Sequence, residues 1–189
     1  RLGQGAHRCG RGGRRVLQRG LTSTSAAFDF TVKVDVARLE PGTTYYYQFA
    51  SANALSPIGR TRTLPIGATP RLRLALAACA NFPYGYFHAY RHIAAQPDLD
   101  AVVHVGDYFY EYANSDYGDG ASLGRVPIPD KELITLSDYR QRYAQYRTDP
   151  DLQEAHRLHP WIIVYDDHET ANNSYSDGAE NHNPATEGP

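Results

Sequence analysis

Apolar and polar residues alternate strictly along residues 28–36 (FDFTVKVDV), where phenylalanine and valine occupy every second position. Alternation with a period of two predicts a half-buried β-strand. A Pro41-Gly42 turn signal follows, and then a tyrosine-rich run of high β propensity at residues 43–49. Another short strand is predicted near Gly59–Thr63. The first part of the chain is therefore predicted to be β-structure.

The pattern changes after Leu64–Pro70, a Pro- and Gly-containing stretch that we interpret as a domain boundary. From there, apolar runs that predict strands alternate with segments that predict helices. The predicted strands are residues 71–78, 100–105 and 161–165, and the predicted helices are residues 86–96, 137–146 (with Ser137 as N-cap) and 149–158. This order predicts βαβ units with a parallel sheet. A Gly-, Pro- and Asp-rich insertion occupies residues 114–130.

Residues 1–13 are rich in glycine and arginine and have no apolar period. Such a segment cannot bury enough apolar surface to order itself, so we expect an unstructured leader. The predicted organisation is then a leader at residues 1–13, a β domain at residues 14–66 and the beginning of an α/β domain at residues 67–189.

Composition and charge exclude several classes of function. The 189 residues carry a formal net charge of −2, so no basic surface for specific nucleic-acid recognition is expected. No apolar run approaches the roughly 18 residues that a membrane-spanning helix needs. The two cysteines, Cys9 and Cys79, lie in unlike contexts, which does not indicate a disulfide framework.

Chemically active residues follow all three predicted strands of the second part. Cys79 ends the first, Asp107 follows the second with Tyr110 three residues later, and the run Asp166–Glu169 follows the third. Ligands bind at the carboxyl ends of strands in such sheets, so these side chains together predict a metal site. Taken singly, Cys79 could be a small buried residue and Asp107 a simple cap.

The donor types favour an oxophilic cation over zinc. HETAN at His168–Asn172 lacks the second histidine of the H-E-x-x-H zinc motif. A phenolate and a thiolate suggest Fe³⁺, whereas carboxylates and asparagine amides suggest a neighbouring hard divalent ion. Two such ions about 4 Å apart can bind a phosphoryl group and promote its transfer to water.

At these residues the chain resembles a known family. ACANF around Cys79, HVGDYFYEY at His104–Tyr112 and YDDHETANN at Tyr165–Asn173, behind the β module FTVKVDVARLEPGTTYYYQF, are similar to the PhoD-like alkaline phosphatases of the calcineurin-like metallophosphatase superfamily. The resemblance covers residues 14–189. It implies an α/β metallophosphatase domain with a parallel βαβ core, represented in part, behind a partial fibronectin III or immunoglobulin-like β-sandwich.

The resemblance also implies an activity and a set of roles. The activity is hydrolysis of small-molecule phosphate mono- and diesters by a secreted or cell-envelope enzyme with Fe³⁺ and Ca²⁺, which we expect to be a monomer. Cys79 and Tyr110 would bind iron, Asp107 would bridge both ions, and Asp167 would bind the second. His168 would contact the phosphoryl group or protonate the leaving oxygen, and Asn172 or Asn173 would complete the calcium shell. The family's later Asp- and His-bearing motifs do not occur up to Pro189, so we expect this chain alone to be inactive.

Two other interpretations remain open. The β domain could belong to a non-enzymatic binding module, such as an adhesion or carbohydrate-binding sandwich. The protein could also be a different metallo-phosphodiesterase on the same scaffold, because the motif residues serve the phosphoryl centre and not the leaving group.

Overall fold

A computed structural model describes residues 3–11, 15–52, 54–180 and 182–188. The chain divides into two compact units. The first contains the residues up to Arg73 together with two short segments, Asp98–Asp100 and His156–Pro160. The second contains Leu74–Pro97, Ala101–Ala155 and the chain from Trp161 onward. Among the described residues, no helix has both the length and the apolar character needed to cross a bilayer.

The first unit is built on an antiparallel sheet. Its strands in the described residues are β1 (Gly3–Arg11), β2 (Arg15–Thr24), β3 (Thr44–Ser51), β4 (Ala54–Leu55) and β5 (Gly59–Arg62). They are arranged in the order β2-β1-β3-β4, and β5 also pairs with β3. The predicted strands at residues 43–49 and 59–63 correspond to β3 and β5.

The unstructured state predicted for residues 1–13 is wrong for Gly3–Arg11. This segment forms β1, which pairs with β2 on one side and β3 on the other. Cys9, in this strand, is buried, with an exposed fraction of 4%. The prediction counted apolar side chains, but backbone hydrogen bonds to two neighbours define a central strand whatever its side-chain pattern.

The strand predicted from the alternation at residues 28–36 is also wrong. The chain forms a 3₁₀ turn at Ala26–Phe28, and Asp29 and Phe30 then adopt left-handed backbone angles, with φ of 51° and 53°. Residues 31–37 run without secondary structure, and Phe28 and Phe30 are exposed. Alternation produces a strand only where the backbone finds a ladder partner, and the described residues offer none to this segment.

Tyr45 anchors the turn that precedes β3. Its ring is 1% exposed, and its hydroxyl oxygen accepts a hydrogen bond of 2.7 Å from the backbone N–H of Glu40. A buried tyrosine bonded to the backbone a few residues upstream is the geometry of a tyrosine corner.

The second unit contains a parallel sheet. Strands β6 (Leu74–Ala77), β7 (Ala101–His104) and β8 (Trp161–Ile163) lie in the order β6-β7-β8, and both pairings are parallel. The helices of the described chain are α1 (His88–Ala94), α2 (Leu136–Tyr146), α3 (Pro150–Leu158) and α4 (Pro184–Glu187). The parallel sheet with a helix between β6 and β7 confirms the strand–helix alternation, although each predicted strand is shorter in the structure.

Helix α2 begins slightly earlier than predicted. Its N-cap is Thr135 and not Ser137: the Thr135 hydroxyl accepts from the backbone N–H of Asp138, while the Asp138 carboxylate accepts from that of Thr135. This capping box satisfies two backbone donors that the helix itself leaves free. The same carboxylate also bonds the Lys131 ammonium at 2.9 Å.

The capping box predicts a pH-dependent contribution to stability. The Thr135 N–H, with help from Lys131, lowers the pKa of Asp138 below its ordinary value. The carboxylate is therefore harder to protonate in the folded than in the unfolded chain, so its contribution is complete above the unfolded pKa of about 4 and is lost as the pH falls through the lower folded pKa. We expect Asp138→Ala to lower the free energy of unfolding by about 1 kcal/mol at pH 7. Urea unfolding should show this difference shrinking below pH 4; a pH-independent difference would contradict the explanation.

Candidate metal centre

The candidate site lies where the three parallel strands end. Because β6, β7 and β8 are adjacent and parallel, their carboxyl ends meet at one edge of the sheet. The backbone joins these ends directly: Cys79 N–H donates to the Gly106 carbonyl at 3.2 Å, and Ala80 N–H donates to the Asp107 carbonyl at 2.8 Å. The geometry therefore brings the residues after β6 and β7 into contact.

Backbone conformation at these strand ends is unusual. Cys79 and Asp107 both have positive φ, 56° and 52°, which non-glycine residues rarely adopt. Gly106 has φ of 105°, and a Cβ placed on it would come within 2.4 Å of the Asp166 backbone nitrogen. Glycine is thus required where the loop after β8 passes the loop after β7. Strained backbone of this kind clusters at functional sites.

Cys79 and Tyr110 converge on one carboxylate. The Tyr110 hydroxyl donates to Oδ2 of Asp107 at 3.0 Å, and the Cys79 thiol donates to the same oxygen at 3.4 Å. The other oxygen, Oδ1 of Asp107, is buried and has no hydrogen-bond partner among the described residues. A buried carboxylate oxygen without a partner is costly, and a cation would satisfy it. The observed donor set therefore fits a metal ion.

The pKa values of Tyr110 and Cys79 show in which protonation state these two groups would meet a cation. Burial, followed by the neighbouring Asp107 carboxylate, raises the pKa of the Tyr110 phenol well above its ordinary value. Cys79 is exposed as a residue, but partial desolvation of its thiol and the hydrogen bond to Asp107 raise the pKa of the thiol. Without a cation both groups hold their protons, and both would have to release them to become ligands.

A second group of ligand atoms lies next to the first. One ligand atom from each of Asp107, Asp167 and His168 lies within 4.8 Å of the others. Partial burial opposes ionisation of Asp167, but the N–H of Asn173, at 2.6 Å, and the nearby His168 outweigh it and lower the pKa of that carboxyl. Asp167 is therefore held as a carboxylate beside Asp107.

His168 is oriented by Glu111, a residue that the sequence pattern did not single out. Nδ1 of His168 lies 2.8 Å from Oε2 of Glu111, whose side chain is 1% exposed. A carboxylate can only accept, so Nδ1 is the donor and Nε2 is the nitrogen left for a substrate. The second oxygen of Glu111 accepts from the N–H of Asn172 at 2.7 Å. Glu111 thus holds the His168 ring with one oxygen and is itself held by the Asn172 backbone through the other.

The side-chain amide of Asn172 is bonded to a carboxylate outside the predicted ligand set. It donates to Glu180 at 2.9 Å, and the amide of Asn173 donates to the same carboxylate. The structure therefore gathers Cys79, Asp107 and Tyr110 into one group and Asp107, Asp167 and His168 into another. The calcium role of Asn172 stays a prediction.

Glu169, the last residue of the acidic run predicted at this site, joins the two loops of the site, a role that the sequence did not indicate. Its carboxylate accepts backbone N–H bonds from Asp107 at 3.2 Å, Tyr108 at 2.6 Å and Asp166 at 2.9 Å. Its position after Asp166, Asp167 and His168 was the only signal in the sequence. The Glu169 carboxylate therefore fixes the position of the main chain at Asp107.

Glu169→Gln is expected to lower the free energy of unfolding by about 2 kcal/mol or more, because a neutral amide cannot accept from all three N–H groups, two of which are buried. Urea unfolding measures this. Glu40→Gln, at an exposed position, is the matched control and should change stability by less than about 0.5 kcal/mol. Equal effects of the two substitutions would show that Glu169 does not join the loops as described.

Arg142 supports the other side of the site. Its guanidinium is fully buried and donates to five backbone carbonyls, those of Tyr110, Tyr112, Ile128, Pro129 and Lys131. Carbonyl acceptors satisfy the charge without a carboxylate. Helix α2 thereby fixes the segment that carries Tyr110 and Glu111, together with the end of the 114–130 insertion.

Known proteins resemble the chain over most of its length. A profile of the PhoD-like phosphatase N-terminal domain matches residues 10–65, and a profile of the PhoD-like phosphatases matches residues 74–189. Alkaline phosphatase D of Bacillus subtilis (strain 168) is 42% identical over 163 residues, which are 85% of this chain and 27% of the relative. A solved structure described as "Structure of PhoD" superimposes with a TM-score of 0.84 and 37% identity, covering 91% of this chain and 33% of that one.

Proposed function

This chain belongs to the PhoD-like phosphatase family, and from that membership and the geometry of the metal centre we propose that it carries part of the active site of a metal-dependent hydrolase of phosphate mono- and diesters. The chain spans about a quarter of the length of the curated relative, 27%. The observation that carries the proposal is the convergence of Cys79 and Tyr110 on Asp107, whose Oδ1 is buried without a partner among the described residues.

We propose two ion positions from the chemistry of the donors. Fe³⁺ would be held by Cys79, Asp107 and Tyr110, because thiolate and phenolate ligands suit a ferric ion. Ca²⁺ would be held by Asp107, Asp167 and Asn172, whose oxygen atoms are the ligands that calcium prefers. Bound cations supply positive charge that stabilises a transferring phosphoryl group.

The chain's own residues have distinct roles in this proposal. Nε2 of His168 contacts the phosphoryl group or, when the ring is protonated on both nitrogens, gives its proton to the leaving oxygen, and Glu111 holds the ring by accepting from Nδ1. Glu169 fixes the backbone at Asp107, and Arg142 fixes it at Tyr110.

The remaining assignments rest on family membership. We propose that the first unit is part of a fibronectin III or immunoglobulin-like sandwich, which the Tyr45 geometry favours. We also propose a secreted or cell-envelope location, a monomeric state and small phosphate esters as partners, without specific nucleic-acid recognition. The donors named above complete neither ion's shell, so we propose that this chain alone does not turn over substrate.

A metal analysis of the full-length protein tests the proposal. We expect iron and calcium to co-purify, p-nitrophenyl phosphate to be hydrolysed, and activity to disappear with the metals on chelation and to return on reloading. Full activity in a metal-free preparation would refute a metallohydrolase. A protein that binds carbohydrate and hydrolyses no phosphate ester would instead support the binding-module alternative.

A further inference from the structure

Two tyrosines expose their rings beside the candidate metal centre. Tyr84 is 63% exposed and Tyr117 is 46% exposed, and their rings meet edge to face at 5.5 Å. With Cys79, Asn81, Tyr86 and Tyr110 they line a cavity of about 560 Å³. The cavity therefore extends from the residues proposed to hold iron to a surface of aromatic rings.

Tyr117 connects this cavity to the proposed proton donor. Its ring lies nearly parallel to that of His168, with an interplanar angle of 17° and centroids 6.4 Å apart. It also contacts Tyr110 at 5.7 Å and Tyr112 at 5.4 Å. The Tyr117 ring therefore lies beside the residue that we propose protonates the leaving group.

The loop that carries Tyr117 is held in place by its own hydrogen bonds. Asn114 accepts from the N–H of Gly120 at 2.9 Å and donates to Asp119 at 2.9 Å, and Asn81 donates to the Tyr117 carbonyl at 3.3 Å. Gly118 has φ of 92°, and a Cβ on it would lie 2.9 Å from the Tyr84 ring. The loop thus packs closely on Tyr84, which holds the two rings ready for a ligand.

Aromatic faces recognise other rings. An exposed aromatic ring packs against aryl groups and bases by stacking, and the same flat apolar surface suits the face of a sugar ring. An acyclic alcohol such as glycerol offers no such face. We propose that Tyr84 and Tyr117 form a subsite for the leaving alcohol of the phosphate ester and favour ring-bearing alcohols. This inference rests on the proposed phosphatase function and specifies its substrate class.

Substrate discrimination in the metal-loaded full-length protein tests the subsite. Tyr117→Ala and Tyr84→Ala should each lower kcat/KM for ring-bearing substrates about five- to tenfold and leave glycerol 3-phosphate within about twofold. Tyr117→Phe and Tyr84→Phe, which keep the ring, are the matched controls and should retain discrimination. Three substrates distinguish aryl, nucleoside and sugar leaving groups: phenyl phosphate, adenosine 5′-monophosphate and glucose 6-phosphate. A lower kcat/KM for any one of them, with glycerol 3-phosphate unaffected, supports the subsite.

A uniform loss on ring-bearing and acyclic substrates would show a structural role and overturn the inference, as would the absence of any loss. A second measurement does not depend on turnover. Calorimetry should show that the metal-loaded protein binds phenylphosphonate more tightly than methylphosphonate, and that Tyr117→Ala removes the difference. If no ester is hydrolysed but phenylphosphonate still binds more tightly than methylphosphonate, the proposed phosphatase function is wrong and the ring subsite is supported. Equal binding of the two phosphonates would overturn the subsite.

Discussion

Asp107→Asn is expected to lower kcat/KM for p-nitrophenyl phosphate about a thousandfold or more and to release iron from the full-length protein. Asp107 accepts from both Cys79 and Tyr110, and one of its carboxylate oxygens lies within 4.8 Å of ligand atoms of Asp167 and His168, so both proposed ion positions depend on it. Cations at such sites contribute several kcal/mol to transition-state stabilisation, and each 1.36 kcal/mol is a factor of ten in rate. Asparagine preserves the volume but removes the negative charge.

Asp166→Asn is the matched control for this substitution. Asp166 stands beside Asp167 and carries the same charge, but its side chain is exposed and does not belong to the group of ligand atoms around Asp107. We expect iron content to be unchanged and kcat/KM to stay within about threefold, as for most surface substitutions. Iron retained in Asp107→Asn, measured by atomic emission on the purified protein, would exclude Asp107 as a shared ligand.

His168→Gln is expected to lower kcat about 10²- to 10⁴-fold while iron and calcium stay bound. His168 is paired with Glu111 at 2.8 Å, an arrangement that presents Nε2 to the substrate. If the residue protonates the leaving oxygen, the loss should be larger for alkyl esters, whose alcohols leave poorly, than for p-nitrophenyl phosphate. Steady-state kinetics on both substrate types measures this difference.

Glu111→Gln separates the orientation of the His168 ring by Glu111 from proton transfer by His168 itself. The amide keeps the volume but no longer stabilises a charged imidazole, so we expect a smaller loss in kcat than for His168→Gln, with the same bias against alkyl esters. Loss of metal from His168→Gln would make His168 a ligand and contradict its role as a proton donor. Equal losses on alkyl and aryl esters would exclude it as the group that protonates the leaving oxygen.

The sequence predicted the parallel strands and the chemical residues at their ends, but not the contacts among loops. Cys79, Asp107 and Tyr110 were recognisable because each follows an apolar run or keeps a fixed offset from one that does. Glu111 was not recognisable and the role of Glu169 was not, because their bonds to His168 and to Asp107 join residues 57 and 62 positions apart that meet only after folding. A carboxylate that accepts backbone N–H bonds from a distant loop leaves no local pattern.

In the first unit, the side-chain pattern predicted a strand at residues 28–36, where none forms, and missed the strand at Gly3–Arg11. The alternation at residues 28–36 is the strongest strand pattern in the chain, yet the backbone there turns at Asp29 and Phe30. Gly3–Arg11 has no such pattern and lies between two strands. The period of the apolar side chains indicates which face a strand would bury. Whether the strand forms at all depends on which segments the fold brings alongside each other.

Anomalous diffraction from crystals of the metal-loaded full-length protein, collected on both sides of the iron edge, tests the central claim most directly. From the proposed ion positions we expect an iron peak bonded to Cys79 Sγ, the Tyr110 hydroxyl oxygen and an Asp107 carboxylate oxygen, and a second ion held by Asp107 and Asp167. An iron peak elsewhere, or none at these residues in a catalytically active crystal, would contradict it.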